Sequence, residues 1–308
     1  MLELRTKHDI ITALRERGIH LKKSLGQNLL IDHNLLAFIV REAAVDRTDL
    51  VLEVGAGSGL LTGHLAEGAG HVVAVEIDPR MVELFREHMA GAGNVSLLNC
   101  DVLESKSKLN PAVLDAVTAA LHRPGISRLK CVANLPYAVS TMVIPLLLEG
   151  PLPVQVMVFT VQKEVSDRLA ATPGTKDYGA LSVIVQALAR VEKVRTLGPR
   201  VFFPEPKVDS AVVRITPADE RRRRIADYRT FAEVTRGLFT HRRKKIAGAL
   251  ALIERFRDAR PALEPLIAAA GIEPGARADQ LSVEQIILLS NNIAALGLKA
   301  EGEVMSDE

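Results

Sequence analysis

The sequence predicts an α/β fold: a mostly parallel, doubly wound sheet of seven strands, followed by a small C-terminal α-helical domain. Three observations predict it. Between about residues 50 and 162, short strand-like runs alternate with helix-like segments. Runs such as Val72-Val73-Ala74-Val75 are apolar throughout, which suits strands covered on both faces. After Pro217 the pattern changes to helical spacing within a basic block.

The elements follow in order. LVLEVG (50–55) reads as the first strand, then a glycine-rich turn and a helix from about 59. HVVAVEI (71–77) is the second, with a helix near 79–90, and NVSLLNC (94–100) is the third. RLKCVAN (128–134) and VQVMVFTV (154–161) complete five, with helices near 110–120 and 139–149 between the later ones. Alternation of this kind implies that the five strands are parallel and joined by right-handed crossovers. VEKVRTL (191–197) and VDSAVVRI (208–215) fit an antiparallel addition at one edge. Beyond Pro217, Phe231, Val234, Leu238, Ile246, Leu250 and Ile253 recur at helical spacing, and shorter helices are expected near 262–270 and 282–295. The boundary falls near 217–225, giving a domain of residues 1–220 and a smaller one of 221–308 that ends in an acidic tail, AEGEVMSDE.

The 308 residues are 48% apolar and 25% charged, as in ordinary globular proteins. No apolar run approaches the ~20 residues needed to span a bilayer. The first residues, MLELRTKHDI, lack the apolar core of a secretory leader, so a cytosolic location without membrane attachment is expected. Cys100 and Cys131 lie in strand-like runs and read as reduced core thiols, and no metal-binding cluster is evident. Net charge is only +2, but residues 214–260 hold 14 Arg and Lys against 6 Asp and Glu. That local excess of +8 suggests a polyanionic partner.

The first strand runs into Glu53-Val54-Gly55-Ala56-Gly57-Ser58-Gly59. Glycines there let the backbone turn tightly and a ligand approach it closely. The dinucleotide fingerprint needs its third glycine one residue later, where Leu60 stands, so the spacing favours a nucleoside-type ligand over a pyrophosphate. Glu76, near the end of the second strand, can accept hydrogen bonds from ribose hydroxyls, and Asp101, after the third, from an adenine amino group.

The fourth strand ends in Asn134-Leu135-Pro136-Tyr137. An aniline-like amine is a poor nucleophile because its lone pair is delocalised into the ring. A site that accepts hydrogen bonds from both N–H groups can turn that lone pair toward an electrophile. The Asn134 side-chain oxygen and the Leu135 carbonyl are the candidate acceptors. Pro136 stiffens the backbone and adds no donor, and Tyr137 can stack on a base.

With these motifs in place, the chain resembles the bacterial 16S rRNA adenine N6,N6-dimethyltransferases over roughly residues 20–295. The resemblance runs through Leu25-Gly26-Gln27-Asn28-Leu29-Leu30, the glycine turn, Val75-Glu76-Ile77-Asp78 and Asn134-Leu135-Pro136-Tyr137 with Ser140-Thr141. It continues through Gln162-Lys163-Glu164-Val165, Tyr178-Gly179-Ala180-Leu181-Ser182, Phe202-x-Pro204-x-Pro206 with Lys207 to Arg214, and Arg242-Arg243-Lys244. It implies a Rossmann-like seven-stranded methyltransferase sheet and S-adenosylmethionine as cofactor. It also implies dimethylation of two adjacent adenosines in a hairpin near the 3′ end of 16S rRNA. The preferred substrate would be a small-subunit assembly intermediate, so a role in ribosome biogenesis follows, and a monomer is expected. Carried over by position, the cofactor contacts are Gln27, Asn28, Leu30, Gly55, Gly57, Glu76, Asp101 and Asn134, and Phe202 helps wall the base pocket. Ala138 stands where the family often has Asn, and Leu25 and Leu29 where it usually has Phe.

Arg242, Arg243, Lys244 and Lys245 are consecutive, so on a helix they would sweep about 300°. At least one would then face inward, and the expectation is a helix lining the groove between the domains and touching RNA phosphates. The runners-up are a 23S rRNA adenine methyltransferase of the macrolide-resistance type, a non-enzymatic RNA-binding assembly factor and an NAD-dependent oxidoreductase. The run Pro206-Lys207-Val208-Asp209-Ser210 favours the small-subunit group over the first.

Overall fold

A computed structural model of the chain describes residues 2, 4, 6–22, 25–257 and 260–297. The acidic tail lies outside the described residues. The chain divides into two compact units, Met1–Ser166 with Val191–Pro217, and Asp167–Arg190 with Ala218–Glu308.

The first unit is built on seven strands: β1 (Asp49–Val54), β2 (His71–Glu76), β3 (Val95–Asn99), β4 (Arg128–Asn134), β5 (Val154–Gln162), β6 (Ala189–Leu197) and β7 (Ser210–Pro217). Their spatial order is β3-β2-β1-β4-β5-β7-β6. The first five are parallel, and β7 runs antiparallel to β5, with Ser210 opposite Gln162 and Ile215 opposite Met157. The sheet is therefore the Rossmann-like, mostly parallel one expected. Chain direction across the sheet reverses at β1, with β2 on one side and β4 on the other. Ligands of open α/β sheets bind at the carboxyl ends of the strands flanking such a reversal.

Local chemistry sets the helices. α1 (Lys7–Glu16) opens on a Thr6–Asp9 capping box, and α2 (His33–Glu42) is capped by Asp32. α3 (Leu60–Gly68) follows the glycine turn directly. α4 (Pro79–His88) has Asp78 at its N-cap and Pro79 in its first turn, and α5 (Pro111–Leu121) repeats that device with Asn110. α6 (Ser140–Glu149) follows the acceptor motif, and α7 (Lys163–Leu169) follows β5. A short antiparallel ribbon pairs Leu29–Leu30 with Phe202–Phe203. It ties the segment before α2 to the segment before β7.

The second unit holds α8 (Ala180–Leu188), α9 (Asp219–Arg222), α10 (Tyr228–Thr240), α11 (Ile246–Leu250), α12 (Arg260–Ala269) and α13 (Val283–Ala294). Phe231, Val234, Leu238, Ile246 and Leu250 are buried in its core, as their spacing predicts, and Ile253 packs against them half-buried. The expected boundary needs correction: residues 167–190, which include the first two of β6, belong to this unit, not to the first. α8 carries Val183, Ile184 and Ala187 into the helical core, and the Tyr178 hydroxyl donates to the Leu281 carbonyl at 2.9 Å. Chain order made 1–220 look continuous, whereas packing assigns α8 to the helices beyond β7. Among the described residues, no helix is long and apolar enough to cross a membrane.

Candidate active site

The carboxyl ends of β1, β2, β3 and β4 converge, all within the first unit. Gly55 and Gly57 sit at φ of +77° and +57°, conformations that an L side chain resists. A methyl group at Gly55 would stand 2.7 Å from Cγ of Pro136, and one at Gly57 would stand 2.9 Å from Cδ2 of Leu29. The turn is pinned to β2, because Gly55 and Ala56 donate to the Val75 carbonyl at 2.9 and 3.1 Å. Glu76 is buried, yet its carboxylate is held by two backbone donors, Gly57 at 2.8 Å and Asp78 at 2.9 Å. Burial raises its pKa, and the two donors partly offset that rise.

One side of the cleft is lined by Val54, Gly55, Val75, Ile77, Cys100, Asp101 and Val102. This part is apolar except at its rim, where the exposed Asp101 carboxylate accepts from Leu103 N–H at 2.9 Å. A flat heterocycle with one exocyclic amine fits such a lining. A second part is lined by residues 25–29, Gly57, Glu76, Met81 and Asn134. Gln27 is fixed there, accepting from Lys22 N–H at 2.6 Å and donating to Asp78 at 3.2 Å. Leu25, Leu29 and Ala138, the departures from the family pattern, all line the cleft.

The acceptor motif closes the cleft opposite the glycine turn. Asn134 donates from Nδ2 to the Asn28 carbonyl at 2.7 Å, and its Oδ1 accepts from the Thr160 hydroxyl. Leu135 N–H donates to the Thr160 carbonyl at 3.2 Å. The Tyr137 hydroxyl meets the buried Ser210 hydroxyl at 2.6 Å, and Ser140 donates to the Tyr137 carbonyl at 3.2 Å. The motif is thus tethered to β5, β7 and the 25–30 segment together. Gln27, Asn28, Gly55, Gly57, Glu76, Asp101, Asn134 and Pro136 all line this one cleft.

Three expectations need correction here. The Leu30 side chain is 3% exposed and lies in the core, so only its backbone is left to meet a cofactor, while Leu29 packs in that same core and also lines the cleft. Phe202 is fully buried in that same core and does not wall the cleft. Cys100 lines the cleft rather than the core, unlike the buried Cys131.

Reading the sequence also missed Glu53 and Thr160. Glu53 is 1% exposed, accepts from the Thr62 hydroxyl at 2.5 Å, and is pushed up to about 8 by burial, with a further push from Glu76. Its signal was a carboxylate inside an apolar strand that is covered on both faces. Thr160 is likewise one hydroxyl in the apolar end of β5.

The basic segment is not helical. α10 ends at Thr240, His241 leaves helical geometry at φ −111° and ψ 39°, and α11 begins only at Ile246. Cations following a helix C-terminus meet its negative dipole end, which favours this turn over four charges wrapped around a continuing helix. Arg242 donates to the carbonyls of Lys176 and Thr175 at 3.0 and 3.1 Å and lies 3.8 Å from Asp279. It is therefore committed to bracing the 172–178 loop. Arg243, Lys244 and Lys245 are exposed. In the RRRR run, Arg221 donates to the carbonyls of Gln186 and Ala189, and the three that follow are exposed.

Comparison with known proteins places the chain in a family. Residues 18–295 match the family described as Ribosomal RNA adenine dimethylase. The chain is 38% identical over 291 residues to Ribosomal RNA small subunit methyltransferase A of Shouchella clausii (strain KSM-K16), covering 94% of this chain and 95% of that one. It is 39% identical over 292 residues to the protein of the same name from Bacillus cereus (strain AH187), covering 94% and 97%. Among solved structures, a dimethyladenosine transferase from Plasmodium falciparum shares the fold at a TM-score of 0.72, with 22% identity over 88% of this chain and 98% of that one. The 23S rRNA methyltransferase ErmE aligns at 0.58, with 26% identity over 86% and 99%. With nearly the whole chain matched, and the glycine turn facing the Asn-Leu-Pro-Tyr motif across one cleft, the protein belongs to the ribosomal RNA adenine dimethylase family.

Proposed function

We propose that this chain transfers methyl groups from S-adenosylmethionine to N6 of two adjacent adenosines in a hairpin near the 3′ end of 16S rRNA. The observation that carries the reading is Asn134-Leu135-Pro136-Tyr137 at the end of β4, packed against Gly55. The residues present suit the cofactor. The Gly55–Pro136 approach leaves no room for a side chain, Glu76 offers a carboxylate for ribose hydroxyls, and Asp101 one for an adenine amine. Gln27, Asn28 and Gly57 complete that set. Bound there, S-adenosylmethionine supplies an electrophilic methyl group.

The protein's own part is positioning. Asn134 Oδ1 and the Leu135 carbonyl accept from the two N–H groups of the target amine, which turns its lone pair out of the ring. Pro136 keeps this backbone stiff. Tyr137, tied through its hydroxyl to Ser210, offers its ring to the base. The methylated amine is a strong acid, so no strong general base is needed. Arg243 and Lys244 contact RNA phosphates, while Arg242 holds the turn from which they project. The substrate is a partly assembled small subunit, and the enzyme acts as a monomer in the cytoplasm.

The test is transfer of labelled methyl groups to unmethylated small subunits, with large subunits in parallel and Asn134→Ala as control. Label in dimethyladenosine of the small subunit only, lost in the variant, is the expected result. Label in the large subunit would overturn the target, and no label in either would overturn the activity.

A further inference from the structure

Asn134 has a side chain with two faces of opposite character, a carbonyl oxygen that accepts and an amide NH2 that donates. The proposed chemistry needs the oxygen to meet the target amine, so something must fix which way the amide is turned. The neighbours do so. The Asn28 carbonyl can only accept, so the atom 2.7 Å from it must be Nδ2. Oδ1 therefore lies on the other side, where the Thr160 hydroxyl meets it. Because Oδ1 has two lone pairs, it can take the Thr160 hydrogen and still accept from a second donor.

Thr160 is well placed for this task. It is fully buried on β5, in register with Asn134 on β4 and with Val212 on β7. Its backbone carbonyl also receives Leu135 N–H. Thr160 thus touches both candidate acceptor residues, one through its side chain and the other through its main chain. Its branched Cβ restricts χ1, so the direction of the hydroxyl is set by the strand and not by a mobile side chain.

We infer that Thr160 is a positioning residue, whose hydroxyl locks the Asn134 amide with Oδ1 presented to the target amine and Nδ2 turned to the 25–30 segment. This rests on the assignment of Asn134 as acceptor. Valine has the same shape without the hydrogen bond and would place a methyl group against Oδ1. Serine keeps the hydroxyl.

The experiment compares Thr160→Val and Thr160→Ser with the parent, first confirming by thermal melting that each folds. In methyl transfer to small subunits, kcat should fall roughly tenfold in the Val variant, the size expected for losing one neutral hydrogen bond. KM for RNA should stay unchanged, and Ser should restore most of the rate. In parallel, the Asn134 side-chain amide is followed by NMR in the ligand-free protein, assigned by its absence from Asn134→Ala. Its shift and slow hydrogen exchange should be kept in the Ser variant and lost in the Val variant. A Val variant with the parent's amide signal overturns the inference whatever the kinetics show. An altered signal with unchanged kcat also overturns it, because the orientation would not matter to the rate. A parent that transfers no methyl group would instead sink the functional reading, while the amide signal still decides whether Thr160 sets the orientation.

Discussion

Gly55 and Pro136 approach so closely that a methyl group on the glycine would stand 2.7 Å from Cγ of the proline. In the proposed function the first belongs to the turn that receives the cofactor's nucleoside, the second to the motif that receives the target amine. Their contact sets the distance between the two halves of the cleft.

Gly55→Ala should therefore damage both halves at once. The substitution meets a rigid ring, and it forces a φ of +77° on a residue with a Cβ, which costs about 1–2 kcal/mol by itself. Cofactor affinity by calorimetry should fall at least about tenfold, with a lower Tm. Unchanged affinity would mean that the turn and the motif move independently.

Arg243→Glu should weaken RNA binding and make it less salt-sensitive. One lost phosphate contact reduces the slope of log affinity against log salt by about one. Arg242→Ala should instead lower thermal stability, because its guanidinium bridges the Lys176 and Thr175 carbonyls. Equal effects of both on the salt slope would contradict this division of labour.

Glu53 makes stability depend on pH in a definite direction. Its folded pKa is raised to about 8 from an ordinary value of 4.5, first by burial. Between these values the native state keeps a proton that the unfolded chain has released. Stability therefore falls as pH rises through that window and levels off above it. Glu53→Gln cannot titrate and can still accept from Thr62, so its Tm relative to the parent should rise steadily from pH 5 to pH 8. A constant difference across that range would show that Glu53 titrates normally.

Lys130→Met should destabilise without harming the chemistry. Lys130 Nζ lies 2.8 Å from the fully buried Asp49 carboxylate and 2.7 Å from the Ala44 carbonyl. Arg128 also holds Asp49, at 2.7 Å, so part of the charge stays compensated after the change. Breaking such a buried pair costs about 3 kcal/mol. The pair sits at the amino ends of β1 and β4, about 16 Å along the strands from the cleft. Urea melts should show the loss, and kcat of the folded fraction should match the parent.

The strands, the glycine turn and the placing of Asn134-Leu135-Pro136-Tyr137 at the end of the fourth strand were legible in the sequence because each depends on neighbours in the chain. Apolar runs bounded by turn residues specify buried strands, and their alternation with helices specifies a parallel sheet with its ligand edge. The family motifs added the reaction. Other features depended on residues brought together from afar. Asn134 takes its partners from 106 residues earlier and 26 later, so no spacing rule could name Asn28 or Thr160. Leu30 and Phe202 were misplaced because a two-residue ribbon gives no alternation from which to read a face. The basic block was read as helix because the apolar residues on either side of it keep helical spacing, while the helix end at His241 and the carbonyls that hold Arg242 are not visible in chain order. Residues 167–190 joined the helical unit because their apolar side chains find their core there. Local periodicity and backbone sterics are written in the chain order, whereas the partner of a buried polar group and the core an apolar face joins are settled only when distant segments pack.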